Sequence, residues 1–256
     1  MPKLAITGKG GVGKTTLAAL LAHLYACEGR TVLAIDADPD SNLASALGLP
    51  PEIERQITPI AEMEELIAER TGTTPGTYGG FFKMNPRVDD IPERFSVTHD
   101  GVKLLVMGTV DRGGSGCVCP ESVMLKTLVT YLLLGQRDVL IMDMEAGIEH
   151  LGRGTASAVD ALIVVVEPGQ RSVQTAQTIR RLAADIGLKK LYIVGNKIRD
   201  ERDRAFIAEQ LAGETILGYL PYSPRAIESD LQGKAIYEMD PQLLAEARAI
   251  KERLPQ

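Results

Sequence analysis

The 256-residue chain is long enough for one sizeable α/β domain or two small ones, and its 45% hydrophobic and 24% charged residues are those of an ordinary globular protein. Its 28 basic and 34 acidic residues leave a net charge of −6, which argues against non-specific nucleic-acid binding through a basic face. No apolar run approaches the ~20 residues needed to span a bilayer. The N-terminus reads as the start of a strand rather than a signal peptide, and three cysteines are too few for a disulfide framework, so a reducing cytoplasm is expected.

Lys3–Thr7 is a short apolar run that reads as a buried strand, and residues 17–22 are strong helix formers. Between them lies Gly8-Lys9-Gly10-Gly11-Val12-Gly13-Lys14-Thr15-Thr16, which meets the phosphate-loop pattern G-x-x-x-x-G-K-S/T in the strand-to-helix context it requires. Glycines at 10, 11 and 13 let successive backbone N–H groups turn toward one point, and the helix N-terminus adds its dipole. Lys14 supplies a charge for the outer phosphates and Thr15 a hydroxyl for Mg2+. Gly10, Gly11, Val12, Gly13, Lys14, Thr15 and Thr16 are therefore the candidate ATP-binding residues.

Residues 31–36 read as a second strand, ending in Asp36-Ala37-Asp38-Pro39-Asp40. Ligands of open α/β sheets sit at the carboxyl ends of strands, so these acids are expected beside the phosphate site. A helix follows at 43–47. Residues 50–100 are the least regular stretch, with a short helix over 62–70, and read as an excursion on a single domain spanning 1–256. A third strand is expected over 102–110, a glycine-rich loop over 111–116, then Cys117 and Cys119, and a helix over 122–134. Residues 139–143 are a fourth strand, with Asp143 at its end in the Walker B position. Ala161–Val166 is a fifth, followed by a helix at 175–186. A sixth at 191–194 runs into Gly195-Asn196-Lys197, and after a helix at 204–211 a short strand at 215–219 precedes Pro221. The amphipathic stretch 242–254 mixes charges on its polar face and lacks bulky aromatics, so it is expected to dock on the core rather than on a membrane. This alternation predicts a doubly wound α/β domain with a mostly parallel sheet of about seven or eight strands flanked by helices.

The second lysine of the loop, Lys9, resembles the signature of the deviant phosphate-loop ATPases, which include partition and division-site ATPases, the nitrogenase iron protein and several metal-insertion proteins. The resemblance implies that Lys9 reaches across an ATP-bridged homodimer to the partner's nucleotide, as a catalytic residue beside Lys14. It implies that Asp38 orients or activates the attacking water, that Asp143 holds Mg2+ together with Thr15, that Asn196 reads adenine and that Pro221 packs on the base. Taken alone, an asparagine at a strand end is as readily a cap or turn residue.

Cys117 and Cys119 form a C-x-C pair. Thiolates suit zinc, nickel and iron–sulfur sites, and one pair supplies half of a tetrahedral set, which a two-fold dimer would complete. Two reduced structural cysteines are the alternative reading of the same spacing. The runs G-S-G-C-V-C-P-E and D-M-E-A-G-I-E-H-L-G-R-G-T, with F-F-K-M-N-P-R-V-D-D and H-D-G-V-K-L-L-V-M-G, resemble the nickel-insertion ATPases of carbon monoxide dehydrogenase. That family implies Ni2+ (or Zn2+) held between subunits by Cys117 and Cys119, and delivery to a carbon monoxide dehydrogenase or acetyl-CoA synthase client; the net charge of −6 and the mixed charges of 242–254 speak against nucleic acid and membrane as partners. An iron–sulfur ATPase like the nitrogenase iron protein would place its two cysteines far apart in sequence. A positioning ATPase would need a basic patch or an anchoring helix. Cys27 is expected to pack in the core. Glu145, Glu149 and His150 could relay nucleotide state, touch metal or hydrogen-bond within the loop after Asp143.

Overall fold

The computed structural model describes residues 2–74, 81–108, 119–135 and 138–255. Among them, β1 (Lys3–Thr7), β2 (Val32–Ala37), β3 (Val97–His99), β4 (Val102–Val106), β5 (Val139–Met144), β6 (Ala161–Val166), β7 (Leu191–Ile198) and β8 (Thr215–Pro221) join one sheet in the order β3-β4-β2-β5-β1-β6-β7-β8. Every pairing is parallel except that of β3 on β4. The helices are α1 (Lys14–Cys27), α2 (Leu43–Ala46), α3 (Pro51–Glu54), α4 (Glu64–Thr71), α5 (Ile91–Phe95), α6 (Pro120–Leu134), α7 (Arg153–Ala156), α8 (Gln170–Asp185), α9 (Glu201–Gln210), α10 (Arg225–Gln232), α11 (Ile236–Met239) and α12 (Pro241–Glu252), with a single 3-10 turn at Ile60–Glu62.

The sheet is covered on both faces, so β2, β5 and β6 are buried along their whole length and read as continuous apolar runs. Strand alternation still divides the side chains between two cores. Leu4 and Ile6 of β1 pack with α1, α11 and α12, whereas Ala5 joins the cluster under α4, α6, α8 and α9. α1 carries almost no polar face: Leu17, Ala18, Ala19, Leu20, Leu21 and Ala22 are all fully buried. It is therefore a core helix, fixed between the sheet and α12, and the loop before it inherits that rigidity. β1 lies between β5 and β6, where the chain's successive crossovers diverge to the two sides of the sheet, and the carboxyl ends of these strands form the expected ligand crevice.

Three expectations need correction. The third predicted strand ends at Val106 rather than 110: Met107 N–H still reaches the Asp36 carbonyl at 2.8 Å, but Gly108 then turns with φ 69°, and residues 109–118 lie outside the described residues. The excursion carries an unforeseen edge strand, β3, whose signal was present in the Asp100-Gly101 turn. Both residues adopt positive φ (45° and 79°), as a tight hairpin demands. Cys27 is exposed, with its Sγ 3.4 Å from His23 Nε2 on the outward side of α1, and does not pack in the core.

α12 buries Leu243, Ala247 and Ile250 against β8 and α1, and Lys251 pairs with Glu28 at 2.6 Å. No helix among the described residues is long and apolar enough to cross a membrane. Because Leu243 is 2% exposed, Leu243→Ala leaves a cavity under α12 and is expected to cost about 3 kcal/mol in chemical denaturation, while Glu252→Ala on its exposed face stays within about 0.5 kcal/mol.

Candidate nucleotide site

The loop between β1 and α1 is shaped by its glycines. Gly8, at φ 148°, lies so close to the Val165 carbonyl that a Cβ would stand 2.4 Å from that oxygen. Gly13 adopts φ 94° as the residue preceding α1, and a Cβ there would fall 2.1 Å from Asn196 Nδ2. Gly11 also sits at positive φ, 75°. Three left-handed or extended positions in six residues fold the backbone into a cradle that no side chain could line. Val12 N–H closes a turn on the Lys9 carbonyl at 3.3 Å.

Lys14, the first residue of α1, is 6% exposed, and its ammonium pairs with Asp38 Oδ2 at 3.1 Å. Asp38 Oδ1 accepts from Asp40 N–H at 3.2 Å, which closes a turn within the post-β2 loop. Asp36 is fully buried and accepts from Leu43 N–H at 2.9 Å and Asp38 N–H at 3.2 Å, so it fastens the loop and the start of α2. Burial pushes its carboxyl up to about 6 in spite of those backbone bonds. Asp143 is its register partner on β5. It is also fully buried, and neither of its carboxylate oxygens has a hydrogen-bond partner among the described residues. Burial pushes the Asp143 carboxyl up to about 7, with Asp36 and Asp38 adding to the rise and Thr15 and Lys14 opposing it. An orphaned buried carboxylate beside the Thr15 hydroxyl is the oxygen donor set a hard divalent cation takes, so these residues fit Mg2+.

The loop after β5 is fastened from two sides. The Thr7 hydroxyl, at the end of β1, lies 2.7 Å from the Glu145 carbonyl and 2.8 Å from that of Gly147. His150 Nε2 lies 3.0 Å from the carbonyl of Ala37, the last residue of β2 and the one before Asp38. The post-β5 loop is thus joined directly to the peptide group that leads into Asp38.

Lys9 lies 3.5 Å from Glu167 Oε1 in its own chain. Lys197, in the left-handed region at φ 57°, shares that carboxylate at 3.2 Å and donates to the Gly11 carbonyl at 2.6 Å. Asn196 is buried, donates to the Val12 carbonyl at 2.7 Å and accepts from Lys197 N–H at 2.8 Å. Its amide braces the loop from below. The cleft above the loop, about 530 Å³, is lined by Gly10, Gly11, Gly13, Lys14, Thr15, Thr16, Asp38 and Asp40 on one side. On the other side stand Ala226, Ile227, Ser229, Asp230 and Lys234 of the α10 region and Ile236 of α11. Neither Asn196 nor Pro221 is among its lining residues. Sequence reasoning therefore missed α10, whose Arg-Ala-Ile-Glu-Ser-Asp-Leu-Gln carries no nucleotide motif; only its place just after a strand end hinted at it.

Cys117 lies outside the described residues. Cys119 precedes α6 and is partly exposed. Its Sγ accepts from Ser122 N–H at 3.4 Å and lies 3.1 Å from the Ser122 hydroxyl, so the thiol stands at a helix N-terminus. Among the described residues no three His, Cys, Asp or Glu side chains gather into a metal-sized group.

A glycine cradle opening a core helix, a buried lysine over it and a buried carboxylate one strand away define a phosphate-loop nucleotide-binding protein. The chain belongs to the CobQ/CobB/MinD/ParA nucleotide-binding domain family, which it matches over residues 3–236, and it is an ATPase of that class. It is 48% identical over 248 residues, 97% of this chain and 94% of the relative, to the carbon monoxide dehydrogenase accessory protein CooC of Rhodospirillum rubrum. It is 45% identical to an uncharacterised ATP-binding protein of Methanocaldococcus jannaschii, over 91% of this chain and 90% of that one. The MinC:MinD cell division protein complex of Aquifex aeolicus matches at TM-score 0.69 and 24% identity, over 98% of this chain and 95% of that one, a likeness of fold.

The raised Asp143 carboxyl sets a pH dependence. The folded chain holds this proton up to about pH 7 while the unfolded chain releases it near 3.8, so nucleotide-free stability falls as pH rises through that window. Asp143→Asn is expected to flatten the fall in melting temperature between pH 5 and 8. Mg2+ at pH 8 is expected to stabilise the parent and leave Asp143→Asn unmoved.

Proposed function

We propose that the chain is an ATP-driven nickel carrier that works as a homodimer and delivers Ni2+ to a carbon monoxide dehydrogenase or acetyl-CoA synthase client. The observation that carries this reading is the 48% identity to CooC over 97% of the chain, in a sequence that carries a C-x-C pair at Cys117 and Cys119. Ni2+ is the cargo, and Cys117 and Cys119 of each subunit would hold it across the two-fold axis, with Zn2+ the competing metal.

Mg2+, held by Thr15 and Asp143, would supply charge neutralisation for the phosphates. The rest follows from this chain's own groups. Backbone N–H groups of residues 10–16 and the start of α1 receive the phosphates. Phosphate oxygens compete with Asp38 for the Lys14 ammonium, which frees the Asp38 carboxylate to orient the attacking water. Lys9 exchanges Glu167 for the partner's nucleotide, so dimer formation and a complete catalytic set arrive together. The base sits toward Ile227 and Ile236, with Asp230 and Lys234 at the rim of the cleft, while Asn196 acts through the loop it braces. The protein is read as cytoplasmic, with no membrane or nucleic-acid partner. The docked α12, whose apolar residues face the core, favours this over a positioning ATPase anchored by its terminal helix.

Lys9→Ala is expected to bind ATP with an affinity within about threefold of the parent but to remain monomeric with ATP and Mg2+ in sedimentation; ATP-induced dimers of this variant would remove the shared-site reading. Cys117→Ala with Cys119→Ala is expected to abolish the binding of one Ni2+ per dimer in equilibrium dialysis while ATP binding persists. Undiminished nickel affinity in that variant would place the cargo elsewhere.

A further inference from the structure

We propose that His150 is a positioning residue for ATP hydrolysis, setting the Asp38 carboxylate by gripping the peptide group that carries it. The inference rests on the reading of Asp38 as the residue that orients water. The peptide between Ala37 and Asp38 is held at both of its polar ends. Its N–H, on Asp38, donates to Asp36 Oδ1 at 3.2 Å, and its carbonyl, on Ala37, accepts from His150 Nε2 at 3.0 Å. With both ends held, the peptide plane cannot rotate without breaking one of the two bonds, and that plane sets where the Asp38 side chain leaves the backbone.

The two holding groups differ in kind. Asp36 belongs to β2 itself and holds the loop to its own strand. His150 comes from another part of the chain, 113 residues on, and ties the loop to the segment that follows Asp143. That segment is pinned to β1 through the Thr7 hydroxyl on the Glu145 and Gly147 carbonyls. Strands β2, β5 and β1 are neighbours in the sheet, so one line of contacts runs from the end of β1 through the post-β5 loop and His150 to Asp38 and on to Lys14. Ile148 and Leu151 on either side of His150 are buried, 5% and 6% exposed, which fixes the backbone from which the ring reaches. The ring is half-buried and Nε2 carries the hydrogen, because a carbonyl can only accept. Glu149, the residue before it, is exposed, and its carboxylate folds back on Gly147.

The inference separates positioning from binding. His150 touches neither the glycine cradle nor the cleft lining, so its loss leaves the phosphate contacts in place and loosens only Asp38. A misplacement of about 1 Å caused by a change outside the chemistry costs up to about 100-fold in rate. His150→Ala is therefore expected to lower kcat for ATP hydrolysis about 10- to 100-fold with KM and ATP affinity within about twofold of the parent. His150→Gln, whose amide N–H reaches a similar point, is expected to recover kcat to within about fivefold. In the Asp38→Asn background, His150→Ala is expected to add no further loss, because both act through one carboxylate. Parental kcat in His150→Ala, equal losses in affinity and kcat, failure of glutamine to rescue, or full additivity with Asp38→Asn would each overturn the proposal. If Asp38→Asn itself hydrolyses ATP at the parental rate, the reading of Asp38 falls instead, and that result is distinct from all of these.

Discussion

Two buried carboxylates, Asp36 and Asp143, occupy register-paired positions at the carboxyl ends of adjacent strands, and the site depends on how each meets the cost of burial. Removing an ionised carboxylate from water is unfavourable unless it is hydrogen-bonded, neutralised or paired with a cation. Asp36 is hydrogen-bonded: it accepts the Leu43 and Asp38 N–H groups and so shapes the loop that carries Asp38. Asp143 accepts no backbone N–H among the described residues, and burial raises its pKa to about 7. One carboxylate is thus structural and the other is open to a cation. That difference makes this strand end, beside the phosphate cradle, fit for Mg2+.

The end of β2 is also tied to the segment that follows β4. Met107 N–H bonds the Asp36 carbonyl, and its own carbonyl receives Ala61 N–H, so the segment entering 109–118 starts from the floor of the nucleotide site. Cys119 then stands at the start of α6, where its Sγ accepts from Ser122 N–H. The proposal of nickel carriage builds on the relatives, with Cys117 and Cys119 forming the pair in sequence.

The cradle was legible because its chemistry is local. Gly8, Gly11 and Gly13 hold backbone angles or contacts that other residues cannot, and Lys14 and Thr15 follow at fixed spacing. The parallel sheet was legible because its strands are continuous apolar runs ending in Asp36, Asp143 and Asn196. What escaped depends on distant packing. Nothing in the neighbourhood of Asn196 says that its amide will brace Val12, 184 residues away, rather than face the cleft. Nothing around Ile227 or Asp230 marks α10 as a cleft wall, because only the closing of β8 beside β7 brings it over the loop. His150 was visible as a residue of interest, but its bond to Ala37 exists only once β2 and β5 lie side by side. Edge strand β3 is short and half-exposed, so it lacks the apolar run by which the others were read.

The central claim is that ATP bound in this cradle governs delivery of a metal held at the cysteines. The most direct measurement mixes the nickel-loaded protein with nickel-free carbon monoxide dehydrogenase and, separately, acetyl-CoA synthase, and follows the gain of enzyme activity with and without ATP and Mg2+. The expected result is activation of one client that requires ATP and is absent with Lys14→Ala or with the Cys117→Ala, Cys119→Ala variant. Activation that is equal without ATP, or that survives loss of both cysteines, would contradict it.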